Sequence, residues 1–101
     1  MRSISLDNAE KVPFNLDGRK MFISEKVEII HLTLKPGEVL DKHTNPFNVV
    51  FYILEGSGVV ETEDESKLVE PDMTIEIQKG IPRGIKNTSN HILRLLVVKI
   101  L

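Results

Sequence analysis

Hydrophobic positions in this chain fall in short blocks rich in β-branched and aromatic residues, at 27–34, 47–54, 59–63, 67–69, 73–78 and 92–100. No window sustains the 3.6-residue recurrence of an amphipathic helix, apart from room for one helical turn near residues 5–9. The blocks therefore predict strands. Pro36-Gly37, Asn45-Pro46, Gly56-Ser57-Gly58, Asp64-Glu65-Ser66 and Asn87-Thr88-Ser89-Asn90 separate them with residues that favour turns. Regularly spaced short strands with such breaks predict an all-β chain folded as an antiparallel barrel or jelly roll.

Two blocks depart from simple alternation. In residues 47–54 the side chains of Phe47, Val49, Phe51 and Ile53 share one face, while Val50, Tyr52 and Leu54 share the other. Residues 92–100 are likewise apolar on both faces. A two-layer protein of this size cannot readily cover both faces of such strands from within, so a homodimer is the expected assembly.

Composition narrows the function classes. With 101 residues the chain suits one small core. Residues are 41% hydrophobic and 28% charged, with a formal net charge of -2, so no basic excess draws nucleic acid or anionic lipid. There is no cysteine, which removes disulfides, thiolate zinc sites and thiol nucleophiles. The first residues lack the apolar core of a signal peptide, and no apolar run approaches a membrane span. A cytoplasmic protein is the resulting expectation.

The segment His43-Thr44-Asn45-Pro46-Phe47-Asn48-Val49-Val50-Phe51-Tyr52-Ile53-Leu54-Glu55-Gly56 resembles the first motif of the cupin barrels. Leu34-Lys35-Pro36-Gly37 supplies the glycine that opens this motif, and Gly56 closes it. The run from Pro71-Asp72 through Gly80, Pro82, Arg83 and Asn87 resembles the second motif, with Gly80 and Asn87 matching. The resemblance spans about residues 34–87. It implies one cupin domain over 1–101, with an arm and first short strands in 1–26 and the barrel core in 27–101.

Cupins usually place two histidines, a glutamate and a third histidine at these motif positions. Here they are His43, Asn45, Val49 and Arg83. Asn45 is a weak donor, Val49 is none, and a guanidinium has no lone pair for a metal. The expectation is therefore no metal cofactor. An alternative is a divalent metal held by His43 with donors from elsewhere, such as His31 or an inward acidic residue, serving a dioxygenase or isomerase.

The same substitutions suggest another chemistry. If Val49 points inward as the resemblance implies, so do Phe47, Phe51 and Ile53, making an apolar cavity. Arg83 and His43 at its edge could hold the carboxylate or phosphate of a small organic ligand, the guanidinium bidentately and the imidazole through one more hydrogen bond. The candidate ligand-binding set is thus His43, Asn45, Phe47, Val49, Phe51 and Arg83. Two other readings stay open. Arg83, between Pro82 and Gly84, could lie in water at the rim, and the barrel could simply be filled by Phe47, Phe51 and their neighbours in a structural or partner-binding dimer.

The remaining candidates are weaker. His31 in its strand reads as a packed or surface residue, and His91 as a solvated turn residue. Residues 61–65 read as the charged tip of a hairpin, and Glu55 as a structural turn residue.

Overall fold

The computed structural model describes residues 1–101 and contains ten strands: β1 (Glu10–Lys11), β2 (Asp17–Ile23), β3 (Val27–Leu34), β4 (Val39–His43), β5 (Asn48–Glu55), β6 (Gly58–Glu61), β7 (Ser66–Val69), β8 (Thr74–Ile77), β9 (Arg83–Lys86) and β10 (Leu93–Ile100). The single helical turn is a 3-10 turn at Leu6–Asn8. No helix is long and apolar enough to cross a membrane. Every strand pairing is antiparallel. The strands form a six-stranded sheet in the order β1-β2-β3-β10-β5-β8 and a four-stranded sheet in the order β4-β9-β6-β7. This is the expected all-β jelly roll.

Strand register sorts the side chains. Leu95 of β10 lies opposite Leu32 of β3 and Ile53 of β5, and Val97 lies opposite Ile30 and Phe51. Alternation then points Leu93, Leu95, Val97 and Lys99 inward together with Val49, Phe51 and Ile53. The core is a cluster that includes Leu32, Leu34, Val49, Phe51, Ile53, Val60, Val69, Ile77, Ile85, Leu93 and Leu95, with Ile75 and Phe47 packed against it. The opposite face of β3, β10 and β5 carries Ile29, Leu96, Val98, Val50, Tyr52 and Leu54, all half-buried.

The turns hold the two sheets in place. Gly56, between β5 and β6, has φ +80°, and a Cβ there would collide with the Ile92 carbonyl. Only glycine satisfies both demands. Just past β9, buried Asn87 donates through Nδ2 to the carbonyls of Leu34 (2.9 Å) and His91 (2.7 Å). Its Oδ1 accepts from the Ser89 amide (3.0 Å) and hydroxyl (2.8 Å). One side chain thereby ties the end of β3 to the loop that leads into β10.

Candidate functional site

A cavity of about 140 Å³ opens at one end of the barrel. Its polar lining is His43, Asn45, Arg83 and Lys99, and its apolar lining includes Phe14, Phe51, Ile30, Leu32, Leu40 and Val97. No carboxylate lines it.

Arg83 opens β9 opposite His43 of β4 in register. It is 1% exposed, which settles the choice between a solvated rim and the interior in favour of the interior. The guanidinium donates through Nη1 to the Ile81 carbonyl at 3.2 Å. With the Asn45 amide turned so that its nitrogen donates to the Thr44 carbonyl, the Asn45 oxygen accepts from Nη2. Nε has no partner. The ion pairs of the chain leave Arg83 out. Burial lowers its pKa, yet a guanidinium keeps its charge in proteins. A buried cation with a free donor and no counter-ion is thus built into the cavity wall. Such a charge is costly unless something pairs with it.

His43 is exposed, and its Nδ1 lies 3.1 Å from the Asp41 carbonyl. A carbonyl can only accept, so Nδ1 carries the proton and Nε2 of the neutral ring is an acceptor. Nε2 can donate to an anion only from the imidazolium. Lys99 can take that part instead. Its Nζ lies 3.7 Å from Glu28 Oε1, an ion pair too long for a hydrogen bond, so its N–H groups remain available. The same ammonium stands 6.0 Å from the centroid of the Phe47 ring.

Of the six candidate residues, the fold brings His43, Asn45, Phe51 and Arg83 to one cavity. Val49 and Phe47 lie outside its lining. Val49 faces inward as expected, but its short side chain is fully enclosed in the core cluster. Phe47 packs against that cluster under Lys99 instead of entering the cavity. The open space also means that the phenylalanines do not fill the barrel.

Sequence reasoning missed Lys99 and Phe14. Lys99 had a signal, because it shares the inward parity of Leu93, Leu95 and Val97 on β10. Phe14 had none. It reaches the cavity from the loop before β2, where its ring packs so closely on Gly18 that a Cβ there would come within 2.9 Å of it.

The donor set does not fit a divalent metal. Arg83 places a fixed positive charge at one of the positions where cupins bind metal, Val49 offers no lone pair, and no three His, Cys, Asp or Glu side chains converge anywhere in the structure. His31 cannot supplement His43. Ile30 and Leu32 line the cavity, so alternation turns His31 to the other face of β3. Glu28 lies outside the cavity lining and stands 3.7 Å from the Lys99 ammonium, a cation that competes with any metal for it.

The family model of the cupin domain matches residues 30–99. The chain belongs to the cupin family. It is 34% identical over 61 residues to the tetracenomycin polyketide synthase protein TcmJ of Streptomyces glaucescens, a match covering 59% of this chain and 41% of that one. Among solved structures, the TT1209 protein of Thermus thermophilus superposes with a TM-score of 0.84 at 30% identity, over 99% of this cupin and 97% of that chain. The polyketide cyclase RemF of Streptomyces resistomycificus superposes with a TM-score of 0.87 over 99% of this chain and 79% of its own, at 20% identity. That last likeness speaks to the fold.

Proposed function

We propose that this cupin binds a small organic molecule through an anionic group, without the metal usual in its family. The observation that carries the reading is Arg83: buried, charged, with a free Nε and no counter-ion, in a cavity shared with Lys99 and free of carboxylates. An anion entering there gains charge-assisted hydrogen bonds where water is scarce, and it supplies the counter-charge that the guanidinium lacks. The apolar remainder of the lining suits the organic part of the ligand. The test is thermal unfolding of the wild type and of Arg83→Gln in the presence of acetate, benzoate or inorganic phosphate, with elemental analysis alongside. Stabilisation of the wild type alone is expected. Equal stabilisation of both proteins, or one iron, manganese or zinc per chain lost in His43→Ala, would overturn it.

The likeness to TcmJ favours a second reading, an enzyme acting on polyketide-like molecules. In it the same cationic groups would stabilise an enolate or carboxylate of the substrate. Turnover of an aromatic polyketide precursor, abolished in Arg83→Gln, would support it over simple binding.

We also infer that a second copy covers the outer face of β3, β10 and β5. The accessible surface is 6445 Å², against about 5,800 Å² from the scaling for monomers of this mass. Part of that surplus belongs to the exposed residues Met1–Ser5, and the rest is of the order that a partner covers. Ile100 and Phe22 extend the apolar stripe and are exposed. Light scattering should give twice the chain mass, and Leu96→Glu, a charge on that stripe, should give the single mass. A wild type that stays monomeric at micromolar concentrations would refute the inference.

A further inference from the structure

Resting on the anion-binding reading, we propose that the ligand is a monocarboxylate whose apolar body is one six-membered ring, or a branched chain of that bulk, packed against Phe14 and Phe51.

Charge fixes the first part. Arg83 contributes one positive charge with nothing to balance it, whereas Lys99 is partly balanced by Glu28 at 3.7 Å. The cavity therefore carries about one net positive charge. A carboxylate matches it, while a phosphate dianion would leave negative charge in an apolar surround. The geometry of the donors agrees. Nη1 and Nη2 are each already committed to one oxygen, of Ile81 and Asn45. Nε is free and Nη2 has a second hydrogen to give, and the Nε–Nη2 edge of a guanidinium takes the two oxygens of a carboxylate side-on.

Size and lining fix the second part. A cavity of about 150 Å³ lined by aliphatic and aromatic side chains holds a benzene ring, and this one measures about 140 Å³. Its apolar wall combines barrel side chains such as Phe51, Ile30 and Leu32 with Phe14 from the arm. Phe14 is 37% exposed although it is a phenylalanine at a cavity mouth. It is held there by Gly18, whose missing side chain leaves room for the ring. A ligand ring seated beside it would cover the surface that Phe14 now presents to water.

Calorimetric titration with benzoate, acetate, phenyl phosphate and benzamide tests both parts, using the wild type, Arg83→Gln and Phe14→Ala. Phe14 is partly exposed, so its removal should leave the fold intact, as circular dichroism would verify. Benzoate should bind on the order of tenfold or more tightly than acetate, since it buries a ring that acetate lacks. It should also exceed its neutral counterpart benzamide and the dianionic phenyl phosphate. Phe14→Ala should erase most of the preference for benzoate over acetate, weakening benzoate far more than acetate. Acetate or phenyl phosphate binding as tightly as benzoate, in an Arg83-dependent way, would overturn the ligand class and leave the anion site standing. Binding of benzoate and benzamide alike, indifferent to Arg83→Gln, would overturn the anion site itself.

Discussion

The two ends of β9 carry buried polar side chains under opposite regimes. At its start, Arg83 is 1% exposed, keeps Nε unpaired and has no counter-ion. Just past its end, Asn87 is 2% exposed and uses both sides of its amide in four hydrogen bonds to three residues. Burial is the same, but satisfaction is not. A fully bonded buried amide holds a structure together, because its loss would leave buried partners without a bond. A half-bonded buried cation contributes little to stability and keeps donors available for something that arrives from outside. Among buried polar groups in this barrel, the unsatisfied one marks the site and the satisfied one marks the scaffold.

The largest effect should follow from attacking the scaffold end. Asn87→Ala removes the buried contact of the Leu34 carbonyl, leaves the His91 carbonyl to the Ser89 hydroxyl and frees the loop into β10, at a cost of about 2 kcal/mol. Urea unfolding should show a lowered midpoint with an unchanged slope. A loss below about 1 kcal/mol would mean that water replaces the amide easily and that the contrast with Arg83 is overstated.

The opposite end should respond in the opposite sense. Arg83→Met keeps much of the side-chain length, removes an unpaired buried charge, and should leave stability unchanged or raise it by about 1–2 kcal/mol. Stabilisation by benzoate should vanish in the same variant. A destabilisation as large as that of Asn87→Ala would turn Arg83 into a structural residue and dissolve the comparison.

How far the sequence showed this contrast depends on which forces set each element. β3 coincides with its apolar block at 27–34, because eight strand-favouring residues between Lys26 and the Pro36-Gly37 turn leave little choice. β9 was invisible as a strand. Arg83-Gly84-Ile85-Lys86 has weak β propensity, and its conformation comes from pairing with β4 on one side and β6 on the other. β2 was hidden in the same way by its charges and glycine. Alternation, with the inward direction that the cupin resemblance implies for Val49, correctly placed Val49, Phe51 and Ile53 inward. The motif spacing brought His43, Asn45 and Arg83 together, since it encodes which strands meet. It could not show that Arg83 is buried, that Lys99 completes the cationic lining, or that Phe14 arrives from the arm. Those facts belong to tertiary packing between residues far apart in the chain, as far as Phe14 and Lys99.

The smallest effect concerns a third buried polar group, which lies on the outer side of the six-stranded sheet. His31 is 4% exposed and neither ring nitrogen has a partner. Burial lowers its pKa from 6.5, and Arg94 adds to the shift while Asp17 opposes it. Arg94 faces it from β10, and Asp17 and Arg19 from β2, where Arg19 is its register partner. The folded state therefore resists protonation at a pH where the unfolded chain accepts a proton. Its proton linkage leaves stability intact above pH 6.5 and erodes it as the pH falls through that value toward the lower folded pKa, by at most about 1.4 kcal/mol per pH unit. Urea unfolding at one protein concentration, at pH 7.5 and pH 5.5, should show a larger acid loss in the wild type than in His31→Leu, which cannot take up the proton. Equal losses would show that His31 is charged or hydrated in solution. It would then stand with neither Arg83 nor Asn87, because water would be supplying the partners that the fold withholds.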